Sequence, residues 1–319
     1  MSPSSPPPRP IYTGASHAPS DDKLLSRRSL DRVPVSLGLL ALNVALFALQ
    51  LARSSGGSLM HLSSREALAF GASDSLATIG ENRWETLVTA CFLHDGILHL
   101  GFNMLVLWRA GPLVERAVGS ARMALMYLVA GAVGNASSNA HSWLTHGAQY
   151  TLGASGAISG VVAAAMVVGW RVQGWRGQLT QAMAGLLGIL IASGIASNLS
   201  GGGRIDNAAH LGGAAAGAAM ASLWRRGFAY SPGAAKAVLG VCTGVLVTCI
   251  LIVVIRDQDP FATMTLQERS SYTNEALADG RCRDARDGQL AVERLRGKLA
   301  PVTSLRAQVD SLCGAAGVR

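Results

Sequence analysis

Charged residues are scarce in this chain: 14% of its 319 residues are Asp, Glu, Lys or Arg, against about a quarter in soluble domains. Half of the residues are hydrophobic and the mean hydropathy is +0.32. So little polar surface cannot cover a water-soluble globule of this size, which points to a polytopic membrane protein. Cysteine is sparse as well, and none of the five shows metal-ligand spacing. No convincing internal repeat is present, which weighs against a transporter built from two matching halves. No signal peptide is visible, because the first apolar run is internal and no small-residue cleavage site follows it. Asp21 and Asp22 weigh against a mitochondrial transit peptide, a class poor in acids.

What is abundant is apolar sequence in lengths near the ~20 residues that a helix needs to cross the hydrocarbon core. Such runs recur at 35–52, 96–113, 121–138, 154–171, 179–198, 208–224 and 235–255. The expected fold is therefore all-α, with seven transmembrane helices. The 37 glycines fit, since small residues let helices approach closely in lipid. The net charge of +8 does not call for nucleic acid, because basic residues in such proteins mark cytoplasmic loops. With the N-terminus inside, the inner segments hold Lys23, Arg27, Arg28, Arg32, Arg109, Arg116, Arg122, Arg171, Arg176, Arg225, Arg226 and Lys236. The outer loops keep only Arg53, Arg65, Arg83 and Arg204. This bias predicts a cytoplasmic N-terminus and, after seven crossings, a C-terminal segment outside. The expected partition is a disordered Pro- and Ser-rich tail at 1–33, a membrane core at 34–226, a seventh span at 227–256 and a small helical outer segment at 257–319.

In that last segment Val292, Leu295 and Leu299, then Val302, Leu305, Val309 and Leu312, follow helical spacing on either side of Pro301. Two short amphipathic helices in a hairpin are expected there. Cys282 and Cys313 flank them, either as a disulfide permitted by an exported compartment or as two unrelated thiols. Cys91, Cys242 and Cys249 lie in or beside apolar runs and read as packing residues.

Polar side chains inside apolar spans are expensive, and that makes them candidates for chemistry. Ser155, in Gly153-Ala154-Ser155-Gly156, opens the fourth run, and His210 lies near the start of the sixth. Taken alone, the serine motif is a common small-residue helix contact and the histidine a satisfied core residue. Both, however, fall at the outer ends of their helices, within reach of water. Ala209, Gly213 and Gly217, four residues apart, form a smooth face beside His210, and Gly156 and Gly160 offer a matching one beside Ser155. Two such faces could approach closely enough for a serine hydroxyl to give its proton to an imidazole, over roughly 2.6–3.2 Å. Asp206 is expected to face the loop, which leaves a dyad rather than a triad. His99 and Asn103, also four apart, share a helix face in the second run. With the Ser155 amide they would form an oxyanion hole, each donor of that kind contributing about 2.7–4 kcal/mol. A metal held by His94, His99 and His210 is the alternative, without a Cys or carboxylate at ligand spacing to support it.

His94-x4-His99-x3-Asn103, Gly153-Ala154-Ser155-Gly156 and Ala209-His210-x2-Gly213-x3-Gly217, in that order on spans two, four and six, resemble the rhomboid family of intramembrane serine proteases. Gly111-x3-Glu115, placed after the second span, is similar to that family's pattern as well. The resemblance implies a six-helix rhomboid-like bundle, here with a seventh C-terminal transmembrane helix. It implies a Ser155–His210 dyad, an oxyanion site of Asn103 and His99 supported by Gly153, and a large first outer loop at about 53–95. The implied activity is cleavage of single-span membrane proteins near the outer face of the bilayer, with no cofactor, metal or nucleic acid involved. A catalytically silent relative that escorts client helices is the competing expectation. Two positions depart from the family's pattern: Glu85 and Thr86 stand where a Trp-Arg pair is usual, and Ser159 where an aromatic often follows the nucleophile.

Overall fold

The computed structural model describes residues 33–54, 59–145, 150–199, 205–224, 230–256, 259, 261, 264, 266–296 and 303–314. The tail expected at 1–33 and several of the basic loop residues, among them Arg204, Arg225 and Arg226, lie outside the described residues.

All seven apolar runs are helices: α1 (Pro34–Arg53), α5 (Ile97–Val118), α6 (Ser120–Leu144), α7 (Ser155–Gln173), α8 (Gln178–Leu199), α9 (Asn207–Leu223) and α10 (Pro232–Arg256). Between α1 and α5 the first loop, the one expected to lie outside, carries α2 (Ser64–Ala69), β1 (Ser73–Asp74), α3 (Ser75–Gly80) and α4 (Thr86–Thr89). After α10 come α11 (Leu266–Ala278), α12 (Cys282–Arg296) and α13 (Thr303–Cys313). The fold is thus an all-α polytopic membrane bundle. Among the described residues five helices, α1, α5, α7, α8 and α10, are long and apolar enough by length and hydropathy to cross a bilayer. The other two differ for a reason. α9 has only 17 residues, and α6 carries Asn135, Ser137, Ser138, Asn139 and His141 in its second half. Both are packed against protein, and on α6 the buried Asn135 and Asn139 amides meet protein partners rather than lipid.

α7 is the central helix. Two-thirds of its apolar window is buried (67%), against 11% for α10, whose Val241, Val245, Leu251, Val254 and Ile255 face outward. α9 packs on α7 and α6, α8 and α5 flank α7, and α1 lies on α5 and α6. α10 docks at the edge, on α6 and α4. Tyr127, Met123, Met126, Ile158 and Val161 fill the space where α6 meets α7.

α5 runs beyond the expected end at 113 to Val118, so Glu115 lies within the helix rather than after it. There it caps a different helix. Val33, at the start of α1, supplies no side-chain cap, and Pro34 removes one orphan N–H. The Glu115 carboxylate accepts from the Val35 N–H (3.0 Å), the Ser36 N–H (2.7 Å) and the Ser120 hydroxyl (2.6 Å). A buried carboxylate on the positive end of α1 satisfies the orphan donors and the helix dipole together.

Among its described residues the C-terminal segment holds three helices, where two were expected. α11 escaped the sequence reading because its buried stripe, Arg269, Thr273 and Ala276, is mostly polar although its spacing is helical. Cys282 and Cys313 form a disulfide that joins the start of α12 to the end of α13, with Cα atoms 5.5 Å apart.

Replacing Glu115 by Ala should remove charge-assisted bonds and lower the unfolding free energy by about 2–3 kcal/mol. Thermal unfolding in detergent measures this, and an unchanged midpoint would remove Glu115 from its capping role.

Candidate active site

One end of the bundle gathers the first outer loop, the segment before α7 and the start of α9. β1 pairs antiparallel with β2 (Tyr150–Thr151), Ser73 opposite Thr151 and Asp74 opposite Tyr150. Just beyond, the Gly153 N–H donates to the Ala90 carbonyl at 2.8 Å. The loop therefore holds the chain on both sides two residues before Ser155, which is half-exposed and begins α7.

Gly153 is required here for conformation and for space. Its φ is +129°, and a Cβ would lie 2.8 Å from His99 Cε1, 2.9 Å from His99 Nε2 and 3.7 Å from Ser155 Oγ. The His99 ring therefore sits against the loop that leads to Ser155. Its Nδ1 accepts from the Asp95 N–H at 3.4 Å, which leaves the proton on Nε2, the edge turned toward Gly153. His94 backs His99 edge-on, with ring centroids 5.3 Å apart. Gln50 of α1 clasps the His94 backbone, accepting from its N–H (3.3 Å) and donating to its carbonyl (3.4 Å). Asn103, one turn along α5, is buried, and its Nδ2 donor has no hydrogen-bond partner among the described residues.

The α7–α9 contact is a backbone-to-backbone seam. A methyl group on Gly213 would overlap the Gly156 carbonyl, and one on Gly217 the Gly160 carbonyl. A Cβ at Gly156 would stand 3.4 Å from the Ala209 carbonyl. The neighbours of Ser155 and His210 are thus in contact across the seam. α6 joins from the side, where a Cβ at Gly134 would lie 2.8 Å from the Ala209 carbonyl and 3.4 Å from Gly156 Cα. His210 is buried in the first turn of α9, and its Nδ1 is without a hydrogen-bond partner among the described residues. Among those residues Ser155 and His210 are not hydrogen-bonded to one another. Asp206 does not turn to the loop: it is the N-cap of α9, its carboxylate accepting from the Ala209 N–H at 3.0 Å. The Ser159 hydroxyl, fully buried one turn after Ser155, has no partner among the described residues. No cluster of metal-binding groups occurs among the described residues.

Glu85 and Thr86 account for their departure from the expected pattern. The Glu85 carboxylate lies between Arg83 (3.6 Å) and Arg256 of α10 (3.7 Å). Burial pulls the Arg83 pKa below the usual guanidinium range, and Glu85 and then Glu81 draw it back up. Thr86 joins a buried knot with Ser73 and Thr78, both of which accept from the Asn139 amide of α6, at 2.9 and 3.1 Å. Gln50, Asn135 and Asn139 were missed from the sequence. All three are buried amides in apolar helices, and Asn135 and Asn139 are four residues apart, the same signal that singled out His99 and Asn103.

At the end of an all-α membrane bundle, His99 of α5 thus sits against the segment that leads to Ser155, and the Ser155 end of α7 packs on the His210 end of α9. Residues 81–227 match the model of the Rhomboid domain. Over 226 residues the chain is 29% identical to rhomboid protease AarA of Providencia stuartii, covering 63% of this chain and 75% of that protein. Over 101 residues it is 43% identical to rhomboid protease GluP of Bacillus subtilis, covering 32% of this chain but only 19% of that protein. A RHOMBOID-like protein 5 of Arabidopsis thaliana is 33% identical over 140 residues, 42% of each chain. Residues 81–227 are thus similar to the Rhomboid domain of proteins named rhomboid proteases, of which the chain spans between about a fifth and three-quarters, and the apolar helices make it an integral membrane protein.

Gly213→Val should force α9 off α7 and lower stability by several kcal/mol, as overpacking does at a site that cannot yield. Gly240→Ala on α10, where a Cβ meets nothing within 4 Å, should be neutral. Unfolding midpoints that do not separate the two variants would contradict the seam.

Proposed function

We propose that the protein is a serine endopeptidase that cuts membrane-spanning segments near the outer face of the bilayer. The observation that carries this reading is the contact of Gly156 with Ala209, beside a His99 ring packed against Gly153, two residues before Ser155. In the proposed reaction Ser155 Oγ attacks the substrate carbonyl carbon while His210 takes its proton. The tetrahedral oxyanion is held by Asn103 Nδ2, His99 Nε2 and the first amides of α7, which no side chain caps. His210 then protonates the leaving amine, and water hydrolyses the acyl-enzyme by the reverse proton transfers. Each step uses groups of this chain and water alone. An orphaned buried donor at Asn103 supports the oxyanion role, because it gains an acceptor only when negative charge develops.

A peptide bond in an intact helix has its carbonyl tied into the hydrogen-bond ladder and shielded by side chains. The substrates proposed are therefore single-span proteins with a helix-weakening Gly or Pro near the outer end and a small residue before the cut. The proposed setting is a bacterial inner membrane with the N-terminus cytoplasmic, resting on the distribution of Arg and Lys and on bacterial relatives.

In liposomes containing such a substrate, Ser155→Ala and His210→Ala should each lower cleavage on the order of 10⁴-fold or more while the protein stays folded. Undiminished cleavage by Ser155→Ala would refute the assignment. Asn103→Ala should lower kcat about 10²–10³-fold with little change in KM. An unchanged kcat would remove it from the oxyanion site.

A further inference from the structure

The three helices after α10 are attached to the first outer loop by a buried ion pair. Arg269 of α11, 1% exposed, grips Glu81 with both terminal nitrogens, at 2.6 and 3.1 Å. Two more of its donors go to the Met264 carbonyl (3.1 Å) and the Ala291 carbonyl of α12 (2.8 Å). One guanidinium thus ties together α11, the turn before it, α12 and the loop, with every contact hydrogen-bonded. A buried charge that makes four hydrogen bonds, with all three of its nitrogens engaged, fixes geometry, because moving it would leave charged donors unpaired in the interior. Beside it Arg256, at the end of α10, donates to the Glu81 and Asn82 carbonyls (3.3 and 3.5 Å). α12 also packs on α3, and the Cys282–Cys313 disulfide closes the three-helix unit around a small core of Ala276, Ala285, Ala291, Val292 and Val309.

Glu81 is the C-cap of α3, and α3 follows directly from β1. β1 is the strand paired with Tyr150–Thr151, four residues before Ser155. A continuous run of bonded groups therefore leads from Arg269 through Glu81, α3 and β1 to the chain that carries Ser155. Both arginines lie outside the 81–227 Rhomboid match, whereas Glu81 is its first residue.

We propose that Arg269 is a positioning residue of the candidate site, acting through Glu81 and the first outer loop on the segment before Ser155. The C-terminal helices clamp that loop, taking over anchoring that Glu85 and Thr86 leave to ionic and hydroxyl contacts. The link to catalysis rests on the proposed role of Ser155, but the mechanical coupling does not.

The test is amide hydrogen exchange of the full chain in detergent, comparing the native protein with Arg269→Met, Arg269→Lys and Glu81→Gln. Amides of residues 150–153 should exchange about tenfold or more faster in Arg269→Met and Glu81→Gln, with α7 and α9 interiors unchanged, because only the local opening is eased. Arg269→Lys should restore part of the protection. Kinetically, kcat should fall with KM held, and the two substitutions combined should be no worse than either alone. Glu81→Gln leaves the C-terminal helices intact, so native exchange at 150–153 in that variant overturns the proposal. Faster exchange spread equally over α7 and α9 overturns it as well. Because exchange is read without substrate, it separates failure of the clamp from failure of the peptidase assignment.

Discussion

Everything at the site depends on how closely three helix backbones approach one another. Gly134 on α6, Gly156 and Gly160 on α7, and Gly213 and Gly217 on α9 meet where a single methyl group would overlap a carbonyl of the neighbouring helix. In a bilayer no hydrophobic gain pulls helices together, so association rests on van der Waals contact and on the short range that small residues permit. In the proposed reaction the same approach would also set the chemistry, because Ser155 is the neighbour of Gly156 and His210 the neighbour of Ala209, two residues in contact across the seam. A bulkier seam would separate hydroxyl and imidazole as surely as it would loosen the bundle.

Around that seam the polar groups divide by purpose. Glu115, Asp206, Asn139 and Gln50 are each matched to a definite partner, as buried polar groups ordinarily are, and each holds a backbone or a loop in place. The Asn103 amide, the His210 Nδ1 and the Ser159 hydroxyl are buried without a hydrogen-bond partner among the described residues. For Asn103 the unmatched state fits the oxyanion role proposed above. Ser159 is fully enclosed one turn after Ser155, at the position where the family's pattern often has an aromatic. The first outer loop mediates between the two sets, meeting the nucleophile segment at Ala90 and β1 and the C-terminal helices at Glu81.

Much of this was legible beforehand, and the remainder was hidden for physical reasons. Apolar length placed the seven helices, and spacing of small residues placed the α7–α9 contact, because both are local properties of the chain. Glu115 was visible only as part of a pattern, since a cap supplied to α1 from 80 residues away leaves no local trace. α11 was missed because Arg269 and Thr273 occupy core positions, which inverts the apolar stripe by which helices are recognised. The partners of Glu85 are equally non-local: one comes from the far end of α10. Asn135 and Asn139 were legible in principle and passed over, as polar pairs in an apolar helix whose chemistry turned out to be structural.

The account stands or falls on two side chains sharing a proton across that seam. Its most direct test is an experimental structure of the full chain after reaction with a fluorophosphonate. The account predicts phosphorus bonded to Ser155 Oγ, the His210 ring within about 3.5 Å of that oxygen, and the phosphoryl oxygen hydrogen-bonded to Asn103 Nδ2 or His99 Nε2. An adduct on Ser155 with His210 turned into the bundle, or no adduct on folded protein, would contradict it.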